Sequence, residues 1–215
     1  MYLRHPLLSS YGIEHGFGLA LSKDPASRPL TARQVHGVDV RRVDENRDAA
    51  FEADGLWTEA PGTRIGIWTA DCLPVLFADK GGRVVSAVHA GWRGAVRGIV
   101  TEALERLKKE GNVPPSNLLV VLGPSAGRCC YEVGPEVHSE ALSRYPDFLG
   151  RKAYPNHFDL PGLVLHQLAS AGVPSSQTGS IDLCTICHPE LFFSHRRQGS
   201  LRSGRSMINW IQSAT

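Results

Sequence analysis

Two apolar runs separated by a glycine turn, then a glycine-broken start to a helix, constrain the fold of this chain more than any other stretch. From Arg64 to Asp79 the order Ile65, Ile67, Trp68, Val75, Leu76, Phe77 reads as strand, with Pro74 signalling an edge or a bulge. Lys80-Gly81-Gly82 is turn chemistry, and Val84 to His89 is a second strand, so the two runs read as a hairpin. Gly91 to Gly94 breaks the strand and opens a helix. Its apolar positions Val96, Val100, Ala103, Leu104 and Leu107 recur at helical spacing and end before Gly111 and Pro114-Pro115.

Beyond this unit, Leu118 to Leu122 is a continuous apolar run of strand length, and Gly123 to Tyr131 is a turn-rich loop of the kind that carries function. Helices are expected over Pro135 to Arg144 and over Leu160 to Ala171, the second with Asp159 near its start and Gly172 at its stop. Strands near Ser180 to Leu183 and Ser206 to Ile211 finish the chain. Strands and helices mix without the regular alternation of a doubly wound sheet, which argues for an α+β layered fold. With no repeat, low-complexity tract or linker, the 215 residues read as one domain spanning 1–215.

Charge and cysteine usage exclude several classes. A formal net charge of +2 is too small for a nucleic-acid binder. The arginines at Arg196, Arg197, Arg202 and Arg205 read as a solvated face or a small anion pocket. No stretch approaches the ~18 apolar residues of a membrane span, and Met1 to Pro6 lacks the apolar region of a signal peptide. Five cysteines, an odd number in a chain large enough to need no disulfides, fit a reduced, cytoplasmic protein.

Three short words carry ligand chemistry: Gln34-Val35-His36-Gly37, Thr69-Ala70-Asp71-Cys72-Leu73-Pro74 and Val88-His89-Ala90-Gly91-Trp92-Arg93-Gly94. Two imidazoles and one thiolate, from His36, His89 and Cys72, make an ordinary zinc shell with a fourth position open for water or substrate. The competing reading is a buried cysteine and two core histidines that never meet. Arg93, at the start of the expected helix, is placed to bind phosphate or carboxylate together with unpaired backbone N–H groups. Asp71 is a candidate general base. Adjacent strand residues point to opposite faces, so Asp71 and Cys72 share a site only if the chain leaves strand geometry before Pro74.

The remaining cysteines leave alternatives open. Cys184-Thr185-Ile186-Cys187-His188 has the spacing of a c-type haem attachment, which would require an exported protein. A structural zinc on Cys129, Cys130, Cys184 and Cys187 is a second reading, although an adjacent Cys129-Cys130 pair is an awkward chelate. Core or pocket-lining thiols are the third and preferred one. Phe192 and Phe193 could stack on a flat heterocycle, or could simply be core.

Taken together, the three words resemble the signature blocks of the YfiH family, also called the laccase-domain or polyphenol oxidase family. Gly123-Pro124 through Cys129-Cys130-Tyr131-Glu132-Val133-Gly134 is similar to a fourth block. Cys184-Thr185, Phe192-Phe193-Ser194, Arg196-Arg197 and Gly204-Arg205 resemble a C-terminal one. The resemblance runs from about Gln34 to Trp210. It implies a single-domain, four-layer α/β/β/α sandwich with zinc on His36, Cys72 and His89. It also implies phosphorolysis of adenosine, inosine, guanosine and methylthioadenosine, with adenosine deamination as a second activity. Other members are described as copper-dependent polyphenol oxidases or as amidases that edit peptidoglycan precursors. The chain departs from the pattern in its short Gly18 to Arg33 segment, and in His195 and Gln198 where Tyr and Asp are usual.

The leading expectation is therefore a zinc enzyme acting on purine nucleosides and phosphate, as a monomer or homodimer, with Cys72, His89, Asp71 and Arg93 as catalytic residues. The purine is expected near Phe192-Phe193. A Cys-His hydrolase with Cys72 as nucleophile and His89 as base is a second expectation, and a zinc-stabilised partner-binding protein a third. Copper is disfavoured, because thiolate plus imidazole in an open tetrahedral shell suits zinc.

Overall fold

The computed structural model describes residues 1–23, 25, 28–44, 51–148, 156–199 and 205–215. Arg202 and Gly204, singled out above, lie outside them. In chain order the elements begin with β1 (Tyr2–Leu3), α1 (Pro6–Ser9), β2 (His15–Gly18), β3 (Val40–Arg42), β4 (Gly55–Thr58) and β5 (Arg64–Thr69). Next come β6 (Leu73–Asp79), β7 (Val85–Ala90), α2 (Trp92–Arg97), α3 (Ile99–Lys109) and β8 (Leu118–Leu122). The chain finishes with α4 (Pro135–Arg144), α5 (Leu160–Ser170), β9 (Thr178–Ser180), α6 (His195–Gln198) and β10 (Met207–Gln212).

These strands form two sheets, ordered β1-β2-β10-β5 and β3-β4-β7-β6-β8-β9. The β3-β4 and β8-β9 pairs are parallel and the rest antiparallel. Period-two alternation sends the larger sheet's side chains into two separate cores, while the smaller sheet faces one of them. Phe17, Ile65, Ile67 and Ile211 of the smaller sheet meet Leu56, Leu76, Ala87 and Val121 of the larger one. The opposite face of the larger sheet, including Trp57, Val75, Phe77, Val88 and Val120, packs on helix residues Val96, Val100, Leu104, Leu163 and Val164. The result is the expected α+β layered sandwich. On the outer face of the smaller sheet, Arg4 and Arg64 stack over Trp210.

Two expected elements are divided. The Arg64 to Asp79 run is not one strand: β5 belongs to the smaller sheet and β6 to the larger. Ala70-Asp71-Cys72 carries the chain between them, with Asp71 at φ +85°. Apolar residues on both sides of the crossing hide it, since each half has its own buried face. Pro74 then sits near the start of a central strand, opposite His89, rather than at an edge. The helix after Gly91 also breaks, because Gly98 adopts φ +94° and closes α2 before α3 begins. The Lys80-Gly81-Gly82 hairpin forms as read, Gly82 taking φ +67°.

Candidate active site

The site lies where the two sheets part, at the ends of β5 and β7 and the start of β6. Its first component is Asp54, immediately before β4 and fully buried. One carboxylate oxygen accepts from the His36 N–H at 2.9 Å and the other from the Val35 and Gly37 N–H groups at 3.1 and 2.6 Å. Three converging donors hold His36 in the left-handed region, at φ +60°. The same carboxylate takes the Nδ1–H of His89 at 2.7 Å, which fixes the tautomer so that Nε2 faces outward. Sequence reasoning missed Asp54, and no local pattern marks it: Ala53-Asp54-Gly55 is indistinguishable from an ordinary turn before a strand.

The Ala70-Cys72 crossing supplies the third candidate ligand. Leaving strand geometry there is the condition under which Asp71 and Cys72 share one site, and the chain does so. Cys72 Sγ lies 3.9 Å from His36 Nε2, and ligand atoms of His36, Cys72 and His89 all fall within 4.8 Å of one another. Ligands at about 2.0–2.3 Å around a tetrahedral ion stand somewhat under 4 Å apart, so the two imidazoles and the thiolate fit a zinc-sized ion. Burial raises the Cys72 thiol, but hydrogen bonds and charge from His36 and His89 outweigh it and bring it down to about 7. Burial works against the His89 imidazolium, yet Asp54 and Cys72 raise it to about 9. Thiolate and imidazolium thus stabilise each other when no metal separates them.

Glycine is required directly beneath this cluster. A Cβ on Gly91 would come within 3.0 Å of His36 Cδ2 and 3.2 Å of Cys72 Sγ, and one on Gly94 within 2.7 Å of the Gly37 carbonyl. These glycines therefore admit the loops that carry His36 and Cys72.

Asp71 is 5% exposed, and its carboxylate is fully engaged. It accepts from Thr185 Oγ1 at 2.6 Å, Ser194 Oγ at 3.1 Å and the Arg196 N–H at 2.6 Å. Asp71 thereby ties the crossing to the C-terminal segment. Arg93 is exposed, stacks over Trp92 with its guanidinium carbon 4.4 Å from the ring centroid, and pairs with no carboxylate among the described residues.

His36, Cys72, His89, Asp71 and Arg93 all line one cavity of about 570 Å³. Its aromatic walls are Trp68, Trp92 and Tyr131, and Arg196 and Arg205 add cationic groups. Phe192 is fully buried core, so the expected stacking role does not fall to it. Arg196 lies over the Tyr131 ring and Arg205 near Phe193. The four other cysteines also converge, outside this cavity: Cys129, Cys130, Cys184 and Cys187 have their sulfurs within 4.8 Å of one another. They are partly exposed rather than core.

No helix of the described residues is long and apolar enough to cross a membrane. The profile of the multi-copper polyphenol oxidoreductase laccase family matches residues 19–212. A Shigella flexneri protein named purine nucleoside phosphorylase YfiH is 38% identical over 188 residues, covering 86% of this chain and 74% of the relative. A Pseudomonas aeruginosa protein named purine nucleoside phosphorylase PA4543 is 38% identical over 195 residues, covering 86% and 75%. Among solved structures, Bacillus licheniformis hypothetical protein YfiH superposes with a TM-score of 0.81 at 25% identity, covering 95% of this chain and 93% of that one. YlmD from Geobacillus stearothermophilus gives 0.81 at 25% identity, covering 100% and 96%.

Proposed function

Because this chain belongs to the multi-copper polyphenol oxidoreductase laccase family, whose YfiH-type relatives carry the name purine nucleoside phosphorylase, we propose that it phosphorolyses purine nucleosides with zinc on His36, Cys72 and His89. Adenosine, inosine, guanosine and methylthioadenosine are the proposed substrates, and hydrolytic deamination of adenosine is a second activity of the same site. The observation that carries this reading is the convergence of those three ligands on one wall of a cavity with aromatic faces and arginines. A zinc ion held there supplies a Lewis acid beside the reacting groups. Zinc is the proposed ion because one thiolate with two imidazoles and a fourth side open to the cavity is the shell of a catalytic zinc site.

The chain's own residues then divide the work. In phosphorolysis a phosphate oxygen bonds to C1′ as the C1′–N9 bond breaks, and the purine departs with a proton. Trp68, Trp92 and Tyr131 offer the flat faces for the base. Arg93, with no carboxylate partner among the described residues, is the proposed phosphate ligand. The six-residue α2 contributes little dipole, so the guanidinium itself carries that charge. Asp71 holds Thr185, Ser194 and Arg196 against the ligand turn, which makes positioning its proposed role rather than proton transfer.

A second reading has a specific observation behind it. The Cys72 thiolate and His89 imidazolium, at about 7 and about 9, are the charge state of a Cys-His nucleophile pair. One experiment decides between them. Ribose-1-phosphate release from adenosine is assayed with and without phosphate, and before and after chelation with readdition of zinc. The proposal expects phosphate-dependent turnover lost with the metal and restored with it. Adenosine consumption that survives complete metal removal, needs no phosphate and yields no ribose-1-phosphate would establish the Cys-His hydrolase instead.

A further inference from the structure

Beyond the catalytic cavity, the four remaining cysteines are arranged in a way the proposed reaction does not use. Cys129 and Cys130 come from the loop after β8, and Cys184 and Cys187 from the segment after β9. Cys187 Sγ lies 3.6 Å from Cys129 Sγ and 3.3 Å from Cys130 Sγ, and all four sulfurs fall within 4.8 Å. In a tetrahedral zinc–thiolate shell with bonds of about 2.3 Å, neighbouring sulfurs stand about 3.8 Å apart. Closing this cluster on an ion therefore needs shifts of only a fraction of an ångström to about one ångström.

The backbone around the cluster is already set for thiolates. Cys184 Sγ accepts the Gly127 N–H at 3.3 Å and is also hydrogen-bonded by the N–H groups of Ile186 and Cys187. A Cys-x-x-Cys turn whose own N–H groups point at its first sulfur spreads negative charge there and aims both sulfurs at one point. Adjacency does not spoil Cys129 and Cys130, because their chain is not extended. The N–H groups of Cys130 and Tyr131 both donate to the Gly127 carbonyl at 2.9 Å, a tight turn that lets neighbouring side chains share a side. Disulfide pairing is the competing account of the same geometry. Cys187 touches both Cys129 and Cys130, and all four sulfurs share one point; oxidation to Cys130–Cys187 and Cys129–Cys184 would use the same contacts, and metal counting separates the two accounts.

We propose that Cys129, Cys130, Cys184 and Cys187 form a second, closed zinc site that staples the Gly123–Tyr131 loop to the Cys184–Cys187 turn. Both segments reach the catalytic cavity. Tyr131 follows Cys130 and lines its wall. Thr185, between the two turn cysteines, donates to Asp71 and receives the Arg197 guanidinium on its carbonyl. The Ser125 carbonyl takes the Thr185 N–H at 3.0 Å, so the loops already touch beside the sulfurs. Zinc here would fix the floor of the cavity without meeting substrate.

The test is metal counting on full-length protein purified under reducing, chelator-free conditions. Wild type should carry two zinc ions per chain. Cys72→Ala should lose one, and the Cys130→Ser, Cys187→Ser double variant should lose the other while keeping zinc at His36, Cys72 and His89. Should the double variant fail to fold, wild type still decides. All five thiols should react slowly with a thiol reagent, Cys72 being held by the first zinc, and the four outer ones should become fast only after a strong chelator releases zinc. A single zinc that vanishes with Cys72→Ala would overturn the proposal. Immediate reaction of the four thiols in untreated protein, or a Cys130–Cys187 disulfide in anaerobically purified protein, would do the same.

Discussion

At His36, Cys72 and His89, one thiolate and two imidazoles face a cavity, and a buried carboxylate holds the His36 turn and the His89 ring. At Cys129, Cys130, Cys184 and Cys187, four sulfurs converge from two partly exposed loops, and the Gly127 N–H donates to Cys184. A zinc ion in the first set would keep a net positive charge and a free coordination position, the conditions for polarising a substrate. In the second set it would be over-neutralised and enclosed. With no cation present, burial and neighbouring sulfurs push the Cys129 thiol up to about 11, and the Cys130 thiol rises as well. Donor count and charge, more than the presence of cysteine, would then separate a reactive centre from a staple.

The largest expected effect tests the reactive side of that contrast. Cys72→Ala and His89→Ala should each remove nearly all ribose-1-phosphate release while leaving the circular dichroism spectrum unchanged. A Cys72→Ala protein that keeps both its metal and its activity would break the assignment. Next comes Asp54→Asn, which keeps the size of the side chain but loses the charge that orients His89 and the His36 turn. Metal affinity and turnover should fall about 10- to 100-fold, the range for losing a partner that orients a metal ligand. Equilibrium dialysis against zinc measures the first and the phosphorolysis assay the second.

Arg93→Ala should raise the KM for phosphate by about one to two orders of magnitude, as expected when a charged hydrogen bond of roughly 1.5–3 kcal/mol is lost. Adenosine deamination, which uses water, should fall much less. Equal losses in both activities would move Arg93 from phosphate to the nucleoside or to structure. The smallest signal is a proton count. With His89 at about 9 and Cys72 at about 7, the metal-free site at pH 7 holds an imidazolium and a partly protonated thiol. Zinc binds the neutral imidazole and the thiolate, so at pH 7 it should displace at least one proton. Zinc affinity should accordingly rise with pH through 7 and flatten above about 9. Calorimetry in buffers of different ionisation enthalpy reads the released protons, and a pH-independent affinity would contradict the electrostatics assigned to Asp54.

Much of the fold and of the candidate site was legible in the residue order. Leu118 to Leu122 is β8 to the residue, and the turn at Gly82 and the helices at Pro135 and Leu160 follow their local signals. His36, Cys72 and His89 could be named as candidate ligands by donor type, but nine histidines and five cysteines offer many triples, and the family resemblance of the surrounding words singled these out. Composition and periodicity report what each residue does to its immediate neighbours along the chain, and those features are local.

What tertiary structure alone decided is everything that depends on a partner far along the chain. Asp54 became the anchor of two ligands through hydrogen bonds to residues 35–37 and His89 that no spacing rule encodes. The crossing at Asp71 was invisible because both flanking strands are apolar, and a period-two pattern does not say which sheet a strand joins. Trp68 and Tyr131 became cavity walls, and Phe192 core, through the way the sheets part. The four outer cysteines met only because the loop after β8 and the segment after β9 leave adjacent parallel strands on the same side of the sheet. Local pattern determined which residues could carry chemistry, and long-range hydrogen bonding and sheet packing determined which of them face one another.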